Sequence, residues 1–103
     1  MPYRLLFLKQ AKKEWDRLDA SIRERFKKKL LKRLENPAVP ADRLSGFAHV
    51  YKIKLRSSGF RLVYEVKEDE IVVIVLAVGK RENNAVYALL KKRMEREREE
   101  DGG

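Results

Sequence analysis

Apolar residues recur at helical spacing in the first third of the chain. After a short strand predicted over residues 3–8, positions 11, 15 and 18 are apolar, which predicts a helix over residues 9–18. Ser21 and Glu24 have the spacing of a capping box, so Ser21 is predicted to cap a second helix. Asn36-Pro37 ends that helix, because the residue before a proline is pushed out of the helical region. The two helices are joined by a very short link and form a helical hairpin.

Period-two alternation replaces the helical spacing in the second half of the chain. Residues 36–48 are rich in proline and glycine and predict a loop. Residues 50–56 and 60–66 alternate strictly, and residues 71–78 are apolar throughout, as in a strand covered on both faces. Asn83 or Asn84 is predicted to cap a final helix. The pattern therefore predicts an α+β fold with the element order β-α-α-β-β-β-α.

The alternation also fixes how the strands of the hairpin pair. A two-residue loop at 57–58 makes the numbers of opposite residues sum to 115. This register places an apolar face on the core and gathers four cations on the other face: Lys52, Lys54, Arg56 and Arg61. A one-residue slip would put lysines opposite core residues, so the register is strongly specified. Like charges on neighbouring strands repel, which indicates that the cluster has a use other than stability.

The charge of the chain is concentrated in this region. The 103 residues carry a formal net charge of +9, and residues 43–64 contain five Lys or Arg and no acid. Residues 91–103 hold five basic and five acidic side chains, which cancel. A field of one sign attracts polyanions, so nucleic acid, a ribosome or an acidic protein is the predicted partner. The alternative is that the charge serves solubility alone.

Other kinds of site are excluded by the residues present. The chain has no Cys and a single His, His49, without an evident partner, and the acidic run 68–70 falls in a hairpin turn. Residues 79–81 lack the spaced glycines of a phosphate-binding loop. We predict no metal and no cofactor. The longest apolar run, residues 71–78, is far shorter than the roughly 20 residues of a membrane helix, and the start is too short for a signal peptide, so we expect a cytoplasmic protein without a membrane partner.

A cluster of cations can catalyse phosphoryl transfer without histidine. Cations stabilise the charge that builds on phosphate oxygens, and arginine binds phosphate through two parallel hydrogen bonds. Neighbouring cations also lower each other's pKa, so a crowded lysine becomes able to act as a base. RNA supplies its own nucleophile, the 2′-OH. Such a site would be weak on free RNA and stronger where another body holds the substrate in line for attack.

Three sequence stretches resemble a known family. Residues 51–64, Tyr-Lys-Ile-Lys-Leu-Arg-Ser-Ser-Gly-Phe-Arg-Leu-Val-Tyr, and the later Val78-Gly-Lys-Arg-Glu and Val86-Tyr87 are similar to the RelE family of type II toxin–antitoxin toxins. The resemblance covers residues 3–92. It implies a mainly antiparallel four-stranded sheet packed on a helical hairpin, as in small microbial ribonucleases, with one toxin domain over residues 1–92. The charged tail 93–103 has no counterpart and is predicted to be a frayed helix end followed by disorder.

The resemblance also implies an activity and partners. The activity is cleavage of mRNA in the A site of the 70S ribosome by 2′-OH attack, which leaves a 2′,3′-cyclic phosphate. The partners are a RelB-like antitoxin and, together with it, operator DNA. Lys54 is the implied general base and Arg81 the general acid or leaving-group stabiliser. Lys52 and Arg61 are implied to hold the scissile phosphate, and Tyr87 a codon base.

Contacts with ribosomal RNA are implied for the hairpin tip and the basic second helix. The residues are Arg56, Lys27, Lys28, Lys32 and Arg33. Three other functions stay open from the sequence. A ParE-like gyrase poison shares the fold without this catalytic set. A basic module could bind nucleic acid and cut nothing. An inactive toxin relic or detoxified variant is the last alternative, against which the intact set of five residues counts.

Overall fold

The computed structural model describes residues 2–80, 88 and 90–95. The elements are β1 (Arg4–Phe7), α1 (Lys9–Asp16), α2 (Ala20–Glu35), a 3-10 turn (Pro40–Asp42), β2 (Val50–Leu55), β3 (Phe60–Lys67) and β4 (Val72–Lys80). Residues 90–95 are helical and belong to the predicted final helix, here called the C-terminal helix. The predicted α+β order is confirmed, and strand and helix ends agree to within two residues. The predicted caps Asn83 and Asn84 and residues 96–103 lie outside the described residues.

The four strands form one mixed sheet in the order β1-β4-β3-β2. The β2–β3 and β3–β4 pairs are antiparallel, whereas β1 runs parallel to β4, from Arg4 opposite Val72 to Phe7 opposite Val75. The helical hairpin connects β1 to β2 at the opposite edge and so crosses one face of the sheet. In the described part of the chain, no helix is long and apolar enough to span a bilayer.

The second helix starts two residues earlier than the capping-box pattern predicts. The first helical hydrogen bond runs from the amide of Arg23 to the carbonyl of Asp19 at 2.9 Å, so Asp19 is the N-cap and Ser21 lies within the first turn. Asp19 makes no side-chain capping bond. The capping role of Ser21 is therefore wrong, and the helix is held by its tertiary contacts rather than by its cap. Its end at Glu35, before Asn36-Pro37, is confirmed.

Two hydrophobic layers cover the two faces of the sheet. The larger layer lies under the helical hairpin, where Trp15 sits between Phe7 and Phe26 with ring centroids 5.3 and 6.4 Å away. The second layer lies on the opposite face and includes Leu90 of the C-terminal helix. Its other buried members are Leu44, Val50, Val63, Leu76 and Ala77. Cover on both faces accounts for the unbroken apolar run of β4.

A bulge in β4 shifts the alternation between these layers. Val63 lies opposite Ala77 and the next residue, Tyr64, opposite Val75, which leaves Leu76 as an extra residue in β4. Val75 therefore packs under the helical hairpin, whereas Leu76 and Ala77 both belong to the second layer. A bulge of this kind bends and twists the strand locally.

The open edge of β4 is covered by an ion pair. Strand β1 ends at Phe7, and the last backbone bond beside it runs from Leu8 to the carbonyl of Val75. Beyond this point a Glu14 oxygen accepts the amide of Val78 at 3.1 Å, and Arg93 donates to the carbonyl of Leu76 at 2.8 Å. Glu14 and Arg93 also pair with each other, at 2.9 Å. These side chains satisfy backbone groups that a neighbouring strand would otherwise bind.

Candidate functional site

The register of the β2–β3 hairpin gathers the cations as the alternation predicts. Lys54 lies opposite Arg61, and Lys52 lies opposite Val63, which confirms the predicted pairing sum of 115. Directly opposite residues on neighbouring strands have their Cβ atoms about 5 Å apart. Lys54 and Arg61 therefore project from adjacent positions on one face, with Lys52 one step further along β2.

The loop of the hairpin is longer than expected. It spans residues 56–59 instead of the predicted two residues at 57–58, so Arg56 leaves the ladder. The carbonyl of Leu55 accepts the amides of Ser58 at 3.2 Å and Gly59 at 3.0 Å. Gly59 has φ of +75°, a conformation that side-chain-bearing residues rarely adopt. The glycine lets the chain close a four-residue loop without changing the register.

The cations of the hairpin differ in burial. Arg61 is only 7% exposed, Lys52 and Lys54 are half-buried, and Arg56 in the loop is exposed. A buried arginine is stable only when its charge is compensated. Arg61 and Lys54 each interact with at least one further group of the protein. The basic face is therefore partly embedded in the second hydrophobic layer, in which Val63 is buried.

Two shallow depressions open beside this face. A depression of about 320 Å³ is lined by Lys54, Leu55, Arg56, Gly59, Phe60 and Arg61. A neighbouring groove of about 520 Å³, here called the basic groove, is lined by Arg25, Lys28, Lys29, Lys54, Leu55, Arg56 and Ser57. The basic groove joins α2 to the tip of the hairpin, where Arg25 donates to the Ser57 hydroxyl at 3.0 Å. Its lining carries positive charge from both elements and suits an anion such as a phosphate.

The structure divides the basic residues predicted on α2. Lys28 lines the basic groove and Lys32 is exposed, whereas Lys27 lies on the opposite flank, in a groove shared with Leu5 and Trp15. Arg25 and Lys29, which were not predicted as RNA contacts, join Lys28 in the basic groove. The spacing of positions 25, 28, 29 and 32 is i, i+3, i+4, i+7, which places these side chains on one helical face.

Arg33 does not occupy the exposed position expected of an RNA contact. Its guanidinium forms a short ion pair with Asp42 and donates to the Tyr64 hydroxyl at 2.8 Å. The Tyr64 hydroxyl in turn donates to the carbonyl of Pro37 at 2.7 Å. Burial raises the pKa of this hydroxyl above its ordinary value of 10.0, although the Arg33 charge acts in the opposite direction. Arg33 thus links α2 to the loop and the sheet.

Two of the five predicted catalytic residues, Arg81 and Tyr87, lie outside the described residues. The described end of β4 leads toward the basic face: Gly79 lies opposite Arg61 and Lys80 opposite Phe60. The Lys80 ammonium lies 5.6 Å from the centre of the Phe60 ring. Arg81 follows Lys80 in the sequence. Among the described residues, no group of three or more His, Cys, Asp or Glu side chains could hold a metal ion.

The chain is similar to known toxins in sequence. A family model described as the ParE toxin of the type II toxin–antitoxin system, parDE, matches residues 5–85. The mRNA interferase toxin RelE of Escherichia coli K12 is 50% identical over 94 residues, which is 91% of this chain and 99% of that protein. A RelE-like toxin protein of Escherichia coli is 49% identical over the same shares of both chains.

Solved structures of such toxins have the same fold. A free Escherichia coli RelE variant with two arginines replaced by alanine matches with a TM-score of 0.84 and 49% identity, over 90% of this chain and 98% of that one. The toxin of the intact Escherichia coli RelBE toxin–antitoxin complex matches with a TM-score of 0.77 and 51% identity, over 79% of this chain and 99% of that one.

Proposed function

This chain belongs to the RelE/ParE superfamily of type II toxin–antitoxin toxins, and on that basis we propose that it is an endoribonuclease toxin that cleaves mRNA. The observation that carries the proposal is the pairing of Lys54 with Arg61 beside Lys52 on one face of the sheet. These cations supply a base and phosphate ligands within one small area. The relatives at about 50% identity that are named mRNA interferases support the same activity.

The proposed reaction uses the RNA's own 2′-OH as nucleophile. Lys54 removes the proton from the 2′-OH, whose oxygen attacks the adjacent phosphorus. Lys52 and Arg61 bind the phosphate and the negative charge that grows on its oxygens. Arg81 protonates or stabilises the leaving 5′ oxygen as the P–O bond breaks. The products are a 2′,3′-cyclic phosphate and a 5′-hydroxyl. Tyr87 stacks on a base of the codon and orients it.

We propose that the substrate is mRNA held in the ribosomal A site. The cations lie beside shallow, open depressions, so we propose that an external body holds the RNA in line for attack. In addition to the mRNA, we propose that the positively charged surface of the chain binds ribosomal RNA. Arg56, Lys28 and Lys32 contact it in this proposal, joined by Arg25 and Lys29 of the basic groove, while Lys27 on the opposite flank reaches a separate contact.

The proposal includes a cognate antitoxin of the RelB type, since related toxins have been solved in complex with RelB. We also propose that the chain binds operator DNA together with that antitoxin and so represses transcription. The proposed location is the cytoplasm. Residues 1–92 are the proposed toxin domain, and residues 93–103 the tail. Within that tail, Arg93 contacts Glu14, and Met94 packs against the second hydrophobic layer.

The test is primer extension on 70S ribosomes programmed with defined A-site codons, beside the same mRNA without ribosomes. We expect wild type to cut within the A-site codon only when ribosomes are present. Arg81→Ala should lose on the order of 100-fold in cleavage rate, as expected for a lost transition-state donor. Lys12→Ala, which removes an exposed cation on α1, is the matched control and should cut like wild type.

A gyrase poison is the second candidate, because the matched family model is named for ParE. Absence of ribosome-dependent cutting, together with DNA cleavage complexes formed by purified gyrase in the presence of the chain, would replace the first proposal with this one. Equal cutting by wild type and Arg81→Ala would contradict the assignment of Arg81.

A further inference from the structure

The strand that carries Lys52 lies at an edge of the sheet. Strand β2 pairs along its length with β3 alone, and a single antiparallel bridge joins Tyr51 to Arg43. On its other side the amide of Leu44 donates to the carbonyl of Val50 at 2.8 Å. Backbone groups of a strand point to the same side at every second residue, so the carbonyl of Lys52 faces this open edge as well. An edge strand with few partners can shift or fray.

A guanidinium from α2 reaches this edge at Lys52. One nitrogen of Arg33 lies 3.5 Å from the carbonyl oxygen of Lys52 and 2.8 Å from the hydroxyl of Tyr64 on β3. The other nitrogen pairs with Asp42 of the 3-10 turn. The Tyr64 ring is fully buried, so it gives Arg33 a fixed partner. Arg33 therefore ties both strands of the hairpin to α2 on the face opposite to the cations.

We propose that Arg33 is a positioning residue that fixes the edge strand β2 at Lys52 and so sets where the Lys52 ammonium stands relative to Arg61. The inference rests on the proposed function, in which Lys52 binds the scissile phosphate. Arg33 does not touch the substrate. Its side chain is 19% exposed, and its donors are directed to Asp42, Tyr64 and Lys52 within the protein. It acts through the backbone of the residue that does touch substrate.

The Lys54–Arg61 pair lies further along the hairpin from the carbonyl that Arg33 reaches. Lys54 and Arg61 lie two pairs closer to the loop than Lys52 and Val63, whereas Arg33 acts at the level of Lys52 and the β3 residue Tyr64. A loss of Arg33 should therefore disturb Lys52 more than Lys54. This difference separates a positioning role from a general loss of stability, which would affect both lysines alike.

The experiment is single-turnover cleavage of mRNA on programmed ribosomes, with the rate constant at saturating ribosomes and the half-saturating ribosome concentration measured separately. Arg33→Gln should lower the rate constant about tenfold and leave the half-saturating concentration unchanged, because a small displacement of a reacting group slows chemistry. In the Lys52→Ala background, Arg33→Gln should cost less than twofold more. In the Lys54→Ala background, Arg33→Gln should still lower the rate constant about tenfold. This background also starts from a low rate, so it shows that a low rate does not by itself hide the effect of Arg33→Gln.

Two further variants sharpen the comparison. Arg23→Gln is the matched control: Arg23 is on the same helix and donates to the carbonyls of Asp16 and Leu18, far from β2. It should cleave within twofold of wild type. Arg33→Lys keeps the charge but loses the planar fork that serves Tyr64 and Asp42 together, so it should rescue little. If Arg33 instead bound a phosphate, Arg33→Gln would raise the half-saturating ribosome concentration, and Arg33→Lys would restore it. That result would overturn the proposal.

The outcomes also separate this inference from the proposed function. If Lys52→Ala and Lys54→Ala both slow cleavage but Arg33→Gln is additive with each, the positioning role is wrong and the proposed function stands. If Lys52→Ala cuts like wild type, the proposed phosphate site fails and the role of Arg33 falls with it. Thermal melts set an assay temperature at which every variant is folded. Should Arg33→Gln not fold, Tyr64→Phe removes the hydroxyl partner, keeps the ring, and should show the same coupling to Lys52.

Discussion

The Tyr64 hydroxyl links β3 to α2 and to the loop that follows α2. It accepts from Arg33 of α2 and donates to the carbonyl of Pro37, while its ring stacks on Tyr51 with centroids 5.8 Å apart. The ring lies in the layer under the helical hairpin, and the Arg33 guanidinium lies 5.9 Å from its centre. Loss of the hydroxyl would leave a buried carbonyl and a partly buried guanidinium short of a partner.

Tyr64→Phe should lower the free energy of unfolding by about 1–3 kcal/mol, since Arg33 loses an acceptor and the Pro37 carbonyl keeps only its bond from the Val39 amide. Urea denaturation followed by circular dichroism measures the change. Tyr51→Phe is the control, because it keeps the stacked ring pair and the Tyr64 hydroxyl. If both variants lose the same free energy of unfolding, the Tyr64 hydroxyl does not stabilise the fold more than the Tyr51 hydroxyl does.

The same hydroxyl predicts how stability changes at high pH. Burial raises the pKa of Tyr64, so the folded protein keeps the proton at a pH where the unfolded chain has lost it. The stability that the protonated hydroxyl contributes is therefore present below pH 10.0 and is lost as pH rises through the folded pKa. The difference in stability between wild type and Tyr64→Phe should shrink above pH 10.0; a constant difference up to pH 11 would contradict this.

Lys54 tests the proposed chemistry at the level of a single residue. Lys54→Ala should reduce the rate of ribosome-dependent cleavage by about 100-fold, because it removes the proposed base. Its half-buried side chain contributes little to the core, so thermal unfolding should change only slightly. Arg61→Ala should slow cleavage as well but also destabilise the fold, because Arg61 is buried. Cleavage at the wild-type rate by Lys54→Ala would remove it from the mechanism.

At the scale of elements, a guanidinium reaches the sheet at two places where a strand lacks a neighbouring strand. Arg33 reaches the edge of β2, and Arg93 reaches the edge of β4 where β1 has ended. Arg93 also holds the C-terminal helix to α1 through Glu14. Charged side chains on exposed strand edges discourage pairing with another chain, so both arginines also protect the sheet from association.

Glu14→Ala should destabilise the domain by about 1–3 kcal/mol, because it leaves the Val78 amide without its acceptor and Arg93 without its ion pair. The side chains of Glu14 and Arg93 are 24% and 12% exposed, so solvent screens their pair only partly. Asp16→Ala is the control, since it breaks the exposed Lys12–Asp16 pair on the same helix and should cost less than about 1 kcal/mol. Differential scanning calorimetry compares the two; equal melting temperatures would show that the Glu14–Arg93 pair is not stabilising.

Features that follow from a regular sequence pattern could be predicted, whereas features that depend on tertiary contacts could not. The hairpin register followed from strict alternation, because a slip of one residue would bury lysines. The start of α2 could not be predicted from the capping pattern, since tertiary contacts decide it. The extra residue at Leu76 has no sequence signal in an all-apolar strand. The place of Arg33 depends on Asp42 and Tyr64, which only the folded chain brings to it.

At the scale of the whole molecule, positive charge is distributed unevenly over the surface. The net charge of +9 arises before residue 91, and α2 presents one basic flank to the hairpin tip. The other flank of α2 forms a largely apolar groove with Leu5, Phe7 and Trp15, in which Lys27 lies at the side. The molecule therefore has a basic surface that suits a polyanion on one flank of α2 and a largely apolar surface on the other flank.

This asymmetry predicts how ribosome binding depends on salt. Each phosphate contact releases about one counterion, so the double variant Lys28→Gln/Lys29→Gln should reduce the slope of log Kd against log salt by about 2. Lys9→Gln/Lys13→Gln removes the same charge from exposed positions of α1 and should leave the slope near the wild-type value. Binding of fluorescent toxin to 70S ribosomes between 50 and 200 mM KCl measures both slopes. If the two double variants change the slope equally, net charge rather than the basic groove determines binding, and the contact surface proposed on α2 is wrong.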